Sequence, residues 1–185
     1  MFKFEDVKLV QLPKKVLRQK SQDVPIPLTE EDTQLIEKMI FHVDDSQTAM
    51  TKFRPAVGVA AVQYGILKNI FYIMIQDDKG NYVFKDALIN PVMLGHSDHK
   101  ISLKEGEGCL SVNEKDPGQE GYVFRYARVV VKAYSYYEKK WKTYDVSGYP
   151  AIVMQHEYDH LQGKLFIDHI DKNNPWNMKK NSSTI

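Results

Sequence analysis

Gln155-His156-Glu157-Tyr158-Asp159-His160 sets two imidazoles four positions apart, with a carboxylate directly after the first. On an α-helix, positions i and i+4 share one face, so both rings can reach a single metal ion. Glu157 is too close in sequence to His156 to share that coordination easily. It suits instead the work of general base toward water activated at the metal. A mixed-charge surface helix, or a His paired with Asp159, is the bland alternative for the same spacing.

A catalytic site of the zinc type has three protein ligands and one open position, so a third ligand is needed. Metzincin-type peptidases continue the pattern as HxxGxxH. Here Gly163 is present, but Phe166 stands where the third His would be. Thermolysin-like peptidases use a later Glu, whereas Glu157 is the last Glu of the chain. Asp168, His169 and Asp171 lie just past the helix and would need a tight reversal. Upstream, Glu107-Gly108-Cys109-Leu110-Ser111 carries the only Cys. One thiol cannot form an internal disulfide. A lone Cys is usually a small buried hydrophobe, but beside an unfinished two-His site a thiolate completes a catalytic ligand set. A Cys nucleophile with a His base competes, and it leaves Glu157 and the second imidazole without a task.

Three segments together resemble the peptide deformylases. Ala56-Val57-Gly58-Val59-Ala60-Ala61-Val62-Gln63 is similar to their first motif, GxGxAAxQ. The Glu107–Ser111 and Gln155–Leu161 segments resemble their second and third, in the family's order and over about 100 residues. The long stretches before the first motif and after Cys109 resemble the insertion-bearing bacterial class. Ala56 and Val62 depart from the pattern, where a Gly and a Pro are usual. A positive φ at position 56 would cost Ala about 1 kcal/mol. A methyl there could also narrow the approach of a substrate backbone. Val62 gains an N–H that needs a partner.

The resemblance implies hydrolysis of the N-formyl group from the formyl-methionine of newly made polypeptides, releasing formate. It implies Cys109, His156 and His160 around one divalent metal, Fe²⁺ foremost, with Zn²⁺, Ni²⁺ or Co²⁺ compatible by ligand type. Glu157 is the implied general base, and the Leu110 backbone N–H and Gln63 amide the implied stabilisers of negative charge on the formyl oxygen. For Gly58 and Gly108 the bland reading is turn geometry. The functional one is close approach of an extended peptide, pairing with Val57 to Val59 as an added strand. An apolar pocket for the methionine side chain would draw on Tyr149, Ile152, Val153 and His156, although each could simply be core. Implied partners are N-formylmethionyl peptides and nascent chains, with transient ribosome contact. A zinc peptidase should tolerate loss of Cys109. A structural metal module would close its shell with a fourth protein ligand and have no use for Glu157.

Composition agrees with this reading. A chain of 185 residues with net charge +1 suits one domain spanning 1–185, without a general field for nucleic acid. The first six residues contain charges and no apolar run follows, so no signal peptide is expected. Nothing approaches the roughly 18 apolar residues of a membrane span, and a single free thiol suits a reducing cytoplasm.

The chemistry-bearing residues need a frame. Pro13 to Lys20 reads as a short helix. Thr29 followed by acidic residues, with Leu35, Ile36, Met39, Ile40 and Val43 at helical spacing, predicts a helix to about residue 50. Strands are expected over Ile70 to Ile75, Tyr82 to Val92, Tyr122 to Tyr136 and Trp141 to Val146. Gly148-Tyr149-Pro150 opens the metal-bearing helix and Gly163 ends it. Residues 172–185, rich in Asn, Lys and Ser, read as a frayed tail. The class is α+β: mainly antiparallel β-sheets packed around a C-terminal metal-bearing helix, plus an N-terminal helix.

Overall fold

Ile70 to Ile75 is apolar without interruption, a pattern that suits a strand covered on both faces. The computed structural model, which describes residues 2–113 and 115–185, gives that segment two covered faces. In chain order the main elements are α1 (Glu30–Ser46), β1 (Gly58–Ala60), β2 (Ile70–Gln76), β3 (Tyr82–His96), β4 (Lys100–Ser102), β5 (Arg125–Tyr126), β6 (Arg128–Ser135), β7 (Lys140–Ser147), α2 (Tyr149–Leu161) and β8 (Ser182–Thr184). One sheet runs β1-β2-β3-β6-β7, antiparallel throughout. The other runs β5-β4-β8, and its β4–β8 pair is parallel.

The two-residue period of β2 puts a helix on each side. Phe71, Ile73 and Ile75 join Ala151, Val153, Met154 and Leu161 of α2. Ile70, Tyr72 and Met74 join Leu35, Ile36, Met39 and Val43 of α1. Each fully buried side chain of this size contributes about 1.5–3 kcal/mol. The α+β class is as expected, and the larger sheet separates the two helices.

Several boundaries differ from the expectation. The Pro13 to Lys20 segment contributes only a 3-10 turn at Lys15–Arg18. Helix α1 starts at a Thr29/Asp32 capping box but stops at Ser46, short of residue 50. There Ser46 Oγ and Gln47 Nε2 bond the Ala56 carbonyl instead of extending the helix. Strand β3 continues past Val92 to His96. A register shift between Ile89 and Val92 spans Asn90 and Pro91, where the missing N–H of Pro is tolerated. The predicted strand over Tyr122 to Tyr136 divides at Ala127, whose N–H turns to the His99 carbonyl. The tail expectation is corrected: residues 182–184 pair with β4 as β8, and Ile185 exchanges backbone bonds with Ser102 and Lys104. Ser and Thr can fill a strand when a partner edge is free, which composition alone does not reveal.

His42 ties α1 to the 3-10 turn that carries Gln63, because its Nδ1 lies 2.8 Å from the Tyr64 hydroxyl. Burial pushes its pKa down to about 4, against the opposing pull of Asp45. The folded value is below the unfolded one, so the unfolded chain takes up the proton first as pH falls. His42 therefore supports stability fully above about pH 6.5, and that support declines toward pH 4. Urea unfolding of wild type and His42→Phe at pH 7 and 4.5 should show the wild-type advantage shrinking by about 2 kcal/mol. A constant difference would show that His42 charges as easily folded as unfolded.

Candidate metal centre

Helix α2 ends where Gly163 takes a φ of 70°, and a Cβ there would stand 2.7 Å from the Arg18 backbone. Gln155 fixes the helix against β5: its Oε1 accepts from the Tyr126 N–H and its Nε2 donates to the Tyr126 carbonyl, both at 2.9 Å. This orientation puts His156 and His160 on one face, with ring centroids 5.1 Å apart.

Cys109 arrives from a separate loop. Leu12 N–H donates to the Ser111 carbonyl at 3.0 Å, and Gln11 Nε2 donates to the Leu110 carbonyl at 3.3 Å, which pins that loop to the N-terminal segment. Cys109 Sγ stands 3.3 Å from His160 Nε2, although 51 residues separate the two. One ligand atom from each of Cys109, His156 and His160 lies within 4.8 Å of the others, and no fourth His, Cys, Asp or Glu joins them among the described residues.

A buried charge network orients the site. His156 Nδ1 lies 2.8 Å from Glu107 Oε2, so Nδ1–H donates to the carboxylate and Nε2 keeps its lone pair for a metal. Arg125, only 4% exposed, donates to both Glu107 oxygens and, through Nη1, to Asp159 Oδ2 at 2.9 Å. His169 lies 2.7 Å from the same Asp159 oxygen, which directs it away from the three donors. Burial alone would raise the Glu107 carboxyl, but Arg125 and His156 bring it down to about 2. Burial likewise opposes ionisation of the Cys109 thiol. His160 and His156 beside it outweigh that and hold it well below its ordinary value.

Glu157 differs from Glu107. Burial raises its carboxyl above the ordinary range, against the pull of His156 and His160. Its Oε2 is buried and makes no hydrogen bond among the described residues. The donor set fits a metal: one thiol disposed to ionise, a second-row carboxylate on His156, and three rather than four protein donors. A buried acceptor without a partner beside them fits a proton carrier.

A cavity of about 240 Å³ opens on this centre. Of the residues singled out from the sequence, Val57, Gly58, Gln63, Gly108, Cys109, Leu110, Tyr149, Ile152, Val153, His156 and Glu157 line it. Gln63 is held by the Ala60 N–H, which donates to Oε1 at 2.9 Å, while Nε2 donates to Ser111 Oγ at 3.2 Å and faces Cys109 Sγ at 3.6 Å. Strand alternation turns the fully buried side chain of Val59 into the α1 cluster, so the part expected of it in pairing an added strand falls to its backbone. Ala56 is not among the described residues with positive φ, so its methyl causes no backbone strain. Val62 is fully buried in the α2 cluster. Sequence reasoning missed the positioning roles of Glu107, Ser111, Arg125 and Asp159. Glu107 and Ser111 sit in the Cys109 motif and Asp159 between the two His, but nothing local marks Arg125.

Among the described residues, no helix is long and apolar enough to cross a membrane. The polypeptide deformylase family model matches residues 7–176. A peptide deformylase of Mycoplasmopsis pulmonis (strain UAB CTIP) is 52% identical over 190 residues, covering 95% of this chain and 94% of that protein. The crystal structure of an Ehrlichia chaffeensis peptide deformylase in complex with actinonin matches with a TM-score of 0.74 at 28% identity, covering 91% of each chain. A Met-Ala-Ser-bound class I type b peptide deformylase from Acinetobacter baumannii matches with a TM-score of 0.72 at 25% identity, over 89% of this chain and 98% of that one. With the family model spanning most of its length and a relative identical at half its positions, this chain belongs to the polypeptide deformylase family.

Proposed function

We propose that Cys109, His156 and His160 hold one divalent metal ion, Fe²⁺ as the working ion, and that around it the chain hydrolyses the N-formyl group of newly made polypeptides. Zn²⁺, Ni²⁺ and Co²⁺ suit the same donors by ligand type. The observation that carries this reading is the convergence of one sulfur and two ring nitrogens beside a buried carboxylate oxygen without a partner. When bound, such an ion acidifies water and polarises a carbonyl oxygen.

The chain's own residues supply the rest. Glu157, whose raised pKa favours proton uptake, accepts the proton of the attacking water and returns it to the departing amine. The Leu110 N–H and the Gln63 amide donate to the formyl oxygen as negative charge grows there. Each such donor is worth about 3 kcal/mol. The Ala60 and Ser111 contacts anchor the Gln63 amide, and the N–H that faces Cys109 is the one that turns to the formyl oxygen.

The substrate's methionine side chain enters between Tyr149, Ile152 and Val153, and its backbone runs along Val57 to Val59. β1 is the edge of its sheet, so it can accept an added strand. Gly108 leaves open space beside the cavity. The Met-Ala-Ser complex of the Acinetobacter baumannii relative supports a short methionine-led peptide in this place. The chain acts as one catalytic unit in the cytoplasm, meeting nascent chains in transient contact with the ribosome.

Glu157→Gln should retain metal and substrate binding while kcat falls by about 10²–10⁴-fold. Near-wild-type turnover in that variant would remove Glu157 from proton transfer. Formate release from formyl-Met-Ala-Ser should also exceed hydrolysis of acetyl-Met-Ala-Ser by a wide margin, read by coupled assay of formate and acetate. Equal rates on the two acyl groups would contradict the substrate assignment.

A further inference from the structure

Gly58 has no backbone reason to be glycine, since it lies in a strand and is not among the residues of positive φ. Its reason is spatial. A Cβ built there would stand 2.6 Å from Glu157 Oε1, 3.0 Å from Cδ and 3.1 Å from Cγ, and these are its three nearest neighbours. At Gly108, which also lines the cavity, a Cβ would meet nothing within 4 Å.

Of the two partners the strand is held in place, and the end of the Glu157 side chain, whose Oε2 has no hydrogen bond among the described residues, is the part that must give. The backbone around Gly58 is fixed by its pairing with Ile73, by the Met74 N–H donating to the Val57 carbonyl at 2.8 Å, and by the Ala60 N–H donating to Gln63. Glu157 is 4% exposed on a helix whose rotation Gln155 fixes. A methyl at position 58 would therefore swing the Glu157 carboxylate out of its place rather than shift the strand.

We propose that Gly58 is a positioning residue for the reaction: its missing side chain is the space that lets the Glu157 carboxylate lie against β1 and face the cavity. This rests on the reading of Glu157 as the proton carrier. It differs from the reading in which Gly58 serves only the approach of the substrate backbone, because it predicts a loss in turnover rather than in binding.

The test is a double-mutant cycle on the metal-loaded enzyme. Gly58→Ala should lower kcat by about 100-fold with KM changed less than about threefold and metal content unchanged. Glu157→Asp, shorter by one methylene, should lose activity in the wild-type background yet recover about tenfold in kcat when added to Gly58→Ala. A second cycle needs no turnover. Gly58→Ala should lower Tm by roughly 4 °C with Glu157 present and leave Tm nearly unchanged in Glu157→Ala, where the clash is gone.

Additive effects in both cycles, or a raised KM with kcat preserved, would overturn the proposal. Failure of Gly58→Ala to fold supports it if Glu157→Ala restores folding and contradicts it otherwise. Full turnover by Glu157→Gln would instead sink the proton-transfer reading while leaving the stability cycle standing.

Discussion

The site depends on holding one sulfur and two ring nitrogens together in a buried place, where uncompensated charge is expensive. The compensation comes from Arg125. Its guanidinium, itself buried, bridges Glu107 and Asp159, and Glu107 in turn fixes the ring of His156. Removing one member of a buried ion pair costs roughly 3–5 kcal/mol, because the remaining charge stays desolvated. The network thus sets both the His156 tautomer and the stability of the loop–helix contact. Cys109, two residues after Glu107, is carried to the metal centre by the segment that Arg125 anchors.

Two carboxylates close in sequence to metal-directed side chains, Glu107 two residues before Cys109 and Glu157 directly after His156, have opposite electrostatics for this reason. Glu107 meets Arg125 and His156 and is held ionised, with a pKa near 2. Glu157 lies against the bare Cα of Gly58, where burial raises its pKa. One orients and the other is free to exchange a proton, a division made by surroundings rather than by residue type. The rigid frame for both is the larger sheet, with α1 on one face and α2 on the other. Its strand β1 and the following 3-10 turn deliver Gly58 to the cavity beside Glu157 and Gln63 to the cavity beside Cys109.

Much of this was legible in the chain because the signals were local. His156 and His160 announce one helical face, Gly148 and Gly163 bracket that helix, and the apolar run from Ile70 to Ile75 announces a strand. Cys109 could be joined to the two His only through the unfinished ligand count and the motif around it. What stayed hidden is long-range pairing. Arg125 lies 18 residues from Glu107 and 34 from Asp159, and no spacing rule connects them. Residues 182–184 look like a polar tail until the free edge of β4 is known. The side of β1 on which Val59 falls depends on where α1 packs, and the end of α1 depends on Ser46 and Gln47 finding Ala56.

X-ray absorption spectroscopy at the metal edge, with metal analysis on anaerobically purified protein, reads the proposed donor set itself. One iron per chain is expected, bound by one sulfur and two imidazoles, with the sulfur signal lost in Cys109→Ala. A shell without sulfur, or one closed by four protein donors, would contradict it.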